Sequence, residues 1–199
     1  MNRREVLELL AHYRGDAPAI FGPSVGGRLL YEIDHRPATL YNMELGYPAA
    51  MCLGLALALP SERVFALEGD GSMLAGLPVL TTIARYRPKN LVVLVMDNRA
   101  YVTAGSLASA TATGTDIAAI GRAAGIEQSV RVGDPNSLDA ALQRATTTDG
   151  PFLIVADVEP EDFATLGQYR AMPFDIVESA IRFRRDLEDR GLVPTLYAI

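Results

Sequence analysis

The sequence predicts an α/β protein with an open, mostly parallel sheet and helices on both faces. Apolar segments of strand length alternate along the 199 residues with segments that have helical spacing. The segment Leu91–Met96 is apolar throughout, without alternation, which is typical of a central parallel strand covered on both faces. Strands that alternate with helices are joined by right-handed crossovers, so consecutive strands are expected to run parallel.

The N-terminal part of the chain is predicted to form three helix–strand pairs. Asn2 suits the N-cap of a first helix, in which apolar residues recur at helical spacing before Gly15 and Pro18 end it. The residues from Gly46 to Leu59 are almost all small or apolar, as in a helix buried on most sides. After the first helix, the predicted elements are a strand at Ala19–Phe21, a turn at Gly22–Ser24, a helix through Leu29, Leu30 and Ile33, a strand at Thr39–Tyr41, the helix Gly46–Leu59 and a strand at Val64–Leu67.

The following residues continue the alternation as far as Val158. The predicted elements are a helix from Ser72 to Tyr86 closed by Pro88, the strand Leu91–Met96, a loop of small residues from Asn98 to Gly114, a helix capped by Asp116 and running to Ala124, a strand at Val130–Val132, a helix capped by Asn136 and a strand at Phe152–Val158. Residues 1–158 are therefore interpreted as one domain.

The last part of the chain, residues 159–199, differs in character. Pro160, Pro173 and Pro194 interrupt it, and an amphipathic helix is predicted for Val177–Leu187. We expect a helical extension that packs on the domain or on a partner subunit.

Composition excludes several classes of protein. The chain is 49% apolar and 21% charged, which is typical of a folded domain. Its net charge of −6, without a basic stripe, argues against nucleic acid as a partner. The single cysteine, Cys52, excludes an internal disulfide. The apolar run Ala49–Leu59 is too short to span a bilayer, and the N-terminus lacks the apolar region of a signal peptide, so a cytoplasmic protein without membrane contact is expected.

Two predicted strands end in unusual polar residues, at the edge where ligands of open parallel sheets bind. The strand Val64–Leu67 runs through Glu68 into Gly69-Asp70-Gly71-Ser72 and then into a helix. The glycines let the backbone approach a ligand closely, and free N–H groups at a helix N-terminus bind anions. Asp70 would repel a bare phosphate, so its presence there requires a cation. A carboxylate together with diphosphate oxygens is a common way to hold Mg²⁺.

The second strand end is the run Asp97-Asn98-Arg99-Ala100-Tyr101, in which Asn98 lies 28 residues after Asp70. One helix and one strand fit this interval, which returns the chain to the same edge of the sheet. The Asn98 amide oxygen is then a candidate ligand for the same ion, with a nearby backbone carbonyl as a third. Either motif alone is typical of a turn, but their joint occurrence at this spacing is much more specific.

With these motifs the chain resembles the thiamine-diphosphate-dependent enzymes, from about residue 18 to residue 158. The resemblance implies the thiamine-diphosphate-binding fold and two cofactors, thiamine diphosphate and Mg²⁺. It implies that Asp70 and Asn98 bind the metal through their side chains and Ala100 through its carbonyl. The residues that it assigns to the organic cofactor are Gly22, Ser24, Met43, Leu45, Gly69, Gly71, Ser72, Asn98 and Tyr101.

A third segment, Met43-Glu44-Leu45-Gly46-Tyr47, resembles the family stretch Gly-Ser-Met-Gly-Tyr. By this match, Leu45 is the apolar residue between the two rings of the cofactor, and the Met43 carbonyl accepts a hydrogen bond from the aminopyrimidine. Glu44 replaces a small residue. Two interpretations of it stay open: a solvated loop carboxylate, which we favour, or an additional proton-transfer group near the thiazolium.

The chain is long enough for only half of such an enzyme. Members of the family need a diphosphate domain and a related pyrimidine domain, which brings the glutamate that activates the cofactor. The resemblance covers only the diphosphate domain, so it implies a separate pyrimidine-binding chain of similar size, in an α2β2 assembly or a larger one. The active site would form at the interface, and no catalytic residue is assigned to this chain.

Within the family, the run from Asp97 to Tyr101 and the later Gly114-Thr115-Asp116 resemble the sulfopyruvate and phosphonopyruvate decarboxylases. The implied function is decarboxylation of a small 2-oxoacid, with carboligation as a variant. Ala104 stands where the pyruvate decarboxylase branch has a catalytic glutamate, so the mechanism of that branch does not transfer. Arg99 is a candidate for binding an anionic group of the substrate. The alternative is a solvated surface residue, which is the usual role of an exposed arginine after a strand.

Two alternatives remain, a second kind of enzyme and a protein from another class of function. The first is the beta subunit of a 2-oxoacid:ferredoxin oxidoreductase, which shares the cofactor motif. Such subunits carry several cysteines that bind a cluster, and this chain has one. The second is a non-catalytic scaffold that has kept the fold, against which the intact Asp70 and Asn98 weigh.

Overall fold

The structure is a computed structural model that describes residues 1–161 and 171–195. Its strands are β1 (Ala19–Phe21), β2 (Thr39–Leu40), β3 (Val64–Gly69), β4 (Leu91–Asp97), β5 (Ala100–Tyr101), β6 (Leu107–Ala108), β7 (Gln128–Val132) and β8 (Phe152–Asp157). Its α-helices are α1 (Arg3–Arg14), α2 (Val25–Asp34), α3 (Pro48–Ala58), α4 (Asp70–Ala75), α5 (Val79–Tyr86), α6 (Ile117–Ala124), α7 (Pro135–Thr147) and α8 (Ile176–Asp189). Short 3₁₀ helices span Val102–Ala104 and Ala110–Thr113.

Six of the strands form one parallel sheet in the order β2-β1-β3-β4-β8-β7. This confirms the predicted fold class. After β1 the chain moves outward to β2, and it then returns past β1 to β3. The direction of winding therefore reverses between β1 and β3. Loops diverge at such a point, which leaves a crevice at the carboxyl ends of the strands.

The sheet separates two apolar layers. Alternate residues of β4 enter opposite layers, so all seven of its residues are buried. One layer contains apolar residues of α1, α2 and α7, and the other contains those of α3, α5, α6 and α8. Coverage on both faces explains why the residues from Leu91 to Met96 are all apolar, as the sequence predicted.

The predicted helix from Ser72 to Tyr86 is wrong, because this segment forms two helices, α4 and α5. Pro78 has no N–H to continue the helical hydrogen bonds and precedes the first residue of α5. Gly76 ends α4 and contacts the backbone of Gly46, so that a Cβ built on Gly76 would lie 2.9 Å from the Cα of Gly46. The break therefore brings the loop that contains Gly46 against the start of α4.

Two smaller predictions also need correction. Helix α7 is capped by Asp134 and not by Asn136, since the Asp134 carboxylate accepts hydrogen bonds from the N–H groups of Asn136 and Ser137. Pro135 then takes the first helical position, where its missing N–H costs nothing. The segment from Asn98 to Gly114 is more ordered than a loop, because β5 and β6 pair as an antiparallel ribbon followed by a 3₁₀ helix.

Helix α8 lies against β2 at one edge of the sheet. The Tyr41 N–H donates to the Ser179 hydroxyl (3.0 Å), and Phe183 and Leu187 enter the apolar layer. Phe174, just before the helix, contacts the ring of Tyr31. Residues 162–170 and 196–199 of the predicted extension lie outside the described part of the chain.

None of the helices in residues 1–161 and 171–195 combines the length and the apolar character that a bilayer crossing requires.

Candidate functional site

A pocket opens at the carboxyl ends of β1, β3 and β4, where the strand order reverses. Five segments contribute to it: the start of α1, the β1–α2 turn, the loop before α3, the β3–α4 junction and the run that follows β4. Its lining residues are Arg3, Pro23, Ser24, Val25, Leu45, Gly69, Asp70, Gly71, Ser72, Met96, Asn98, Ala100, Tyr101, Val102 and Thr103. The two motifs singled out in the sequence thus lie in one pocket.

The junction between β3 and α4 forms one wall. Gly69 has extended backbone and precedes Asp70, the first residue of α4. Gly71 is in contact with the ring of Tyr101, and a Cβ built on Gly71 would lie 2.6 Å from Tyr101 Cδ1. The Ser72 hydroxyl accepts a hydrogen bond from the Gly46 N–H (3.1 Å), which fixes the loop before α3 to this wall. Only glycine fits position 71 without displacement of the tyrosine ring.

Asp70 is a buried carboxylate with two hydroxyl partners. The Ser109 hydroxyl donates to Asp70 Oδ2 at 2.5 Å, and the Thr111 hydroxyl lies 3.2 Å from the same oxygen. Burial raises the pKa of Asp70, and the negative charge of Asp97 acts in the same direction, while the hydroxyl groups oppose them. A cation beside the carboxylate would favour the ionised form.

Asn98 is also buried, and its side chain organises the run that follows β4. The Ala100 N–H donates to the Asn98 amide oxygen at 3.2 Å, and Arg99 between them has a φ of 64°. This turn places Ala100 and Tyr101 beside the pocket. The second lone pair of the amide oxygen stays available for a ligand, because a carbonyl oxygen accepts two hydrogen bonds.

Asp97, at the end of β4, belongs to a network that the sequence did not reveal. Its carboxylate accepts hydrogen bonds from the Thr111 hydroxyl at 2.7 Å and from Arg131 Nη2 at 3.0 Å. Arg131, on β7, also pairs with Asp157 and lies 3.5 Å from Asp116. Thr111 therefore connects the carboxylates of Asp70 and Asp97. The pairing of β4, β8 and β7 in the folded sheet creates this network, so no sequence spacing indicates it.

The loop before α3 places Leu45 in the pocket with 48% of its surface exposed. The Met43 N–H donates to the Phe21 carbonyl (2.9 Å), so Met43 lies beside β1 but does not line the pocket. Glu44 is exposed, and the described lining residues do not include it.

The β1–α2 turn contributes Ser24, which caps α2 by accepting a hydrogen bond from the Gly26 N–H (3.0 Å). Gly22 is adjacent but does not line the pocket, since its N–H donates to the Leu67 carbonyl (2.9 Å) within the sheet. Arg99 points elsewhere: its side chain is 59% exposed and lies 4.0 Å from Asp157.

Most of the predicted site residues thus line one pocket, and a few do not. Gly22, Met43 and Glu44 lie outside the lining. The predicted residues that line the pocket are Ser24, Leu45, Gly69, Asp70, Gly71, Ser72, Asn98, Ala100 and Tyr101.

Sequence reasoning also missed three polar residues at the site. Ser109 and Thr111 lie in a segment of small residues, in which a pair of hydroxyl groups is a weak signal. Arg3 lines the pocket from the first turn of α1, far from either motif.

Beneath the site, Glu68 on β3 is fully buried. Its Oε1 accepts a hydrogen bond from the Ala49 N–H at the start of α3 (2.9 Å), while Oε2 has no hydrogen-bond partner in the described structure. Burial raises the pKa of Glu68 to about 7, against the opposing effects of the nearby Ser72 hydroxyl and the Ala49 hydrogen bond. The N-terminus of α3 is thus tied to the strand that leads into Asp70.

The donor set of the pocket fits a magnesium ion bound together with a diphosphate. In residues 1–161 and 171–195, no group of three or more His, Cys, Asp or Glu side chains is arranged to hold a metal ion. The pocket instead offers one carboxylate, one amide oxygen and a backbone carbonyl, from Asp70, Asn98 and Ala100. Mg²⁺ is commonly held by one or two carboxylates plus substrate phosphates.

Comparisons with known proteins identify the family to which the chain belongs. Residues 31–156 match the family model described as thiamine pyrophosphate enzyme, C-terminal TPP binding domain, where TPP is thiamine diphosphate. The chain is 30% identical over 163 residues to sulfopyruvate decarboxylase subunit beta from Methanococcus maripaludis, a match that covers 81% of this chain and 86% of that protein.

A phosphonopyruvate decarboxylase from Streptomyces hygroscopicus is 33% identical over 177 residues, which cover 88% of this chain. The match spans 43% of that relative, so this chain corresponds to less than half of its length. Among solved structures, benzoylformate decarboxylase from Polynucleobacter necessarius shares the fold, with a TM-score of 0.65 over 78% of this chain and 33% of the other, at 22% identity. By its family match and its fold, the chain belongs to the thiamine pyrophosphate enzymes and contains their C-terminal TPP-binding domain.

Proposed function

We propose that this chain is the diphosphate- and magnesium-binding subunit of a two-chain, thiamine-diphosphate-dependent 2-oxoacid decarboxylase. The observation that carries the proposal is the single pocket that unites Asp70, Asn98 and Ala100 with the β3–α4 junction. The match over most of a sulfopyruvate decarboxylase beta subunit supports the two-chain arrangement.

In this proposal Mg²⁺ is bound by the Asp70 carboxylate, the Asn98 amide oxygen and the Ala100 carbonyl. The burial of both side chains supports the assignment, because a buried oxygen ligand already lacks most of its water. The hydrogen bond from the Ser109 hydroxyl holds the Asp70 carboxylate in one orientation without the ion. Preorganised ligands of this kind bind with a smaller loss of conformational entropy.

The organic cofactor would lie along the same pocket. Gly69, Gly71, Ser72 and the Ser24 turn offer backbone and hydroxyl donors to the diphosphate, with Gly22 and Tyr101 beside them. Leu45 and the Met43 carbonyl would contact the ring portion of the cofactor. The partial exposure of Leu45 supports this position, because an apolar side chain at the mouth of a polar pocket can pack against a ring.

The bound cofactor supplies an electron sink for the charge left when a 2-oxoacid loses carbon dioxide. The task of this chain is to bind and orient that group and to neutralise its phosphates. Protonation of the carbon that has lost carbon dioxide would give an aldehyde, whereas its addition to a second carbonyl compound would give a hydroxyketone, so carboligation belongs to the same proposal. A small 2-oxoacid is the proposed substrate class.

The partner in this proposal is a pyrimidine-binding chain of similar size, in an α2β2 or larger assembly. Leu45, Tyr47 and Met51 are exposed apolar residues in and just after the loop that lines the pocket, which supports a covered surface there. The activating glutamate is assigned to that partner. Glu44 is proposed as a solvated loop carboxylate, in keeping with its exposure.

The division of the chain belongs to the same proposal: residues 1–158 as the cofactor-binding domain and residues 159–199 as a helical extension. The contacts of Ser179, Phe183 and Leu187 with the edge of the sheet support an extension that packs on its own domain. The cytoplasmic location expected from the sequence stays a prediction.

The decisive experiment is native mass spectrometry of the tagged protein purified from its own source. A second chain of similar size that co-purifies with thiamine diphosphate and Mg²⁺ would support the proposal. Isolation of the protein alone, without cofactor even when both are added, would reject it in favour of a scaffold.

The matched variant is Asp70→Asn, which removes the charge but keeps the shape of the side chain. We expect this variant to keep its partner but lose Mg²⁺-dependent retention of the cofactor. Unchanged retention by the variant would reject the metal assignment.

A further inference from the structure

Arg3, the first residue of α1, is a buried cation at the wall of the cofactor pocket. Its side chain is 7% exposed, and it lines the same pocket as Ser24, Ser72 and Asn98. Helix α1 is fixed in the fold, since Val6, Leu7 and Leu10 are fully buried in the layer that they share with α2 and α7. The backbone of Arg3 is therefore held in place by the helix that carries it.

The hydrogen-bonding groups of Arg3 are incompletely satisfied. Its Nη2 lies 2.6 Å from Glu161 Oε2, while Nε is buried and has no hydrogen-bond partner in the described structure. A buried N–H of a charged group without an acceptor is costly, and native structures usually supply an acceptor from protein, water or ligand. Arg3 lines the pocket, so a ligand oxygen there is a suitable acceptor once the side chain turns to bring the buried Nε into contact with it.

The charges in the pocket indicate which ligand this is. Among the described lining residues, Arg3 is the only cationic side chain and Asp70 the only anionic one. A diphosphate brings several negative charges, and a bound Mg²⁺ would neutralise only two, while Asp70 adds one. The bound site therefore needs a further positive charge, and guanidinium groups are well suited to phosphate oxygens.

We propose that Arg3 binds the diphosphate of the cofactor through its guanidinium, as a ligand-binding residue outside both sequence motifs. This inference rests on the proposed function, because it requires that the pocket takes thiamine diphosphate. Glu161 pairs with the guanidinium through Nη2, and a turn of the Arg3 side chain on ligand binding presents Nε, which is buried without ligand, to an oxygen of the anion. Arg3 is thus a binding residue with no part in bond making or bond breaking.

The test measures the affinity of the purified assembly for Mg²⁺–thiamine diphosphate by equilibrium dialysis, independently of catalytic turnover. We expect Arg3→Gln to weaken this affinity by about 10- to 100-fold, the usual range for a hydrogen bond to a charged group. Arg3→Lys should recover part of the loss, because the charge returns without the planar fork.

The neighbouring arginine provides a matched control. Arg4 lies on the same turn of α1, but its side chain is 54% exposed and its ion pair with Glu8 faces solvent. Arg4→Gln should leave cofactor affinity within about twofold of the original protein, because exposed ion pairs contribute little.

The variant Glu161→Gln distinguishes binding of the cofactor by Arg3 from a purely structural role of Arg3. If Arg3 acted only by pairing with Glu161, this variant would weaken cofactor binding as much as Arg3→Gln. We expect Glu161→Gln to bind the cofactor at least as tightly as the original protein, since its guanidinium keeps its charge and loses a competing anion. Thermal unfolding of each variant, without cofactor, verifies that the fold is kept.

The outcomes separate the two proposals. If the original protein and Arg4→Gln both fail to bind thiamine diphosphate, the proposed function is wrong and the role of Arg3 falls with it. If Asp70→Asn abolishes binding but Arg3→Gln binds normally, only the assignment of Arg3 is wrong. A rise in the KM for the oxoacid with unchanged cofactor affinity would also reject the assignment, since it would make the substrate the anion that Arg3 binds.

Discussion

Gly71 and Glu68 illustrate how single residues support the pocket. Gly71 is required by a neighbour that is distant in sequence, because the Tyr101 ring fills the space that a side chain would need. Glu68 is a buried carboxyl whose main partner is the backbone at the start of α3. In both cases the constraint comes from a contact across the fold and not from the local conformation.

Replacement of Gly71 by alanine should displace the Tyr101 ring. We expect Gly71→Ala to lower the free energy of unfolding by about 1 to 3 kcal/mol, the range for overpacking a filled site. Chemical denaturation measures the change. In a Tyr101→Ala background the same substitution should cost much less, and an equal cost in both backgrounds would contradict the contact.

Replacement of Glu68 by glutamine should change how stability depends on pH. The raised pKa means that the folded protein keeps a proton that the unfolded chain releases, so stability falls as pH rises from the ordinary glutamate pKa to about 7. The Glu68→Gln variant has no ionisable group at this position, so its stability does not fall for this reason. Between pH 5 and pH 8 we expect the variant to gain roughly 2 to 3 kcal/mol in unfolding free energy relative to the original protein.

Denaturant titrations of both proteins at the two pH values measure this difference. A constant difference between the two proteins would show that Glu68 ionises normally in the folded state.

At the scale of elements, the site depends on connections between the ends of strands. Arg131 of β7 reaches Asp97 at the end of β4 and Asp157 at the end of β8, and Thr111 extends the connection to Asp70. The break between α4 and α5 similarly fixes the loop before α3. The pocket wall is therefore stabilised from several elements at once.

Arg131→Met should be strongly destabilising, because it leaves the fully buried Asp97 carboxylate without its cationic partner. Removal of one partner of a buried ion pair costs about 3 kcal/mol or more, measured as unfolding free energy. Lys89→Gln is the control, since the Lys89–Asp149 pair is exposed on both sides and its loss should cost less than about 1 kcal/mol. Equal effects of the two substitutions would contradict the role of the network.

At the scale of the whole molecule, the two faces of the sheet are covered by the helices of the chain itself, while the mouth of the pocket is not. Leu45 is exposed in the pocket, Tyr47 and Met51 are exposed shortly after it in the chain, and Val177 and Ile181 are exposed on α8. The proposed function places the partner chain against the exposed residues Leu45, Tyr47 and Met51.

Tyr47→Ser should therefore weaken association with the partner chain, because it removes an exposed aromatic contact. Sedimentation velocity of the purified complex, diluted in steps, should show dissociation at a concentration at least about tenfold higher than for the original protein. Val177→Ser, which also removes an exposed apolar side chain, should leave the assembly unchanged. Equal weakening by both variants would contradict this position of the interface.

The sequence alone determined the strands of the main sheet, most of its helices and the two motifs, because these depend on local patterns. An uninterrupted apolar run marks a strand buried on both faces, and Gly69-Asp70-Gly71 and Asp97-Asn98 follow strands at a spacing that returns them to one edge. The split of the helix after Ala75 was missed although Gly76 and Pro78 indicated it, since the apolar spacing continues across the break.

Only the tertiary structure decided which distant side chains complete the pocket. Arg3, Ser109, Thr111 and Arg131 reach the site through packing of α1, pairing of β5 with β6 and the position of β7 next to β8. No spacing in the sequence indicates these neighbours, because they meet through contacts between elements far apart in the chain. Local patterns are governed by backbone geometry and burial, whereas the surroundings of a buried charge are fixed only when the whole sheet and its helices are assembled.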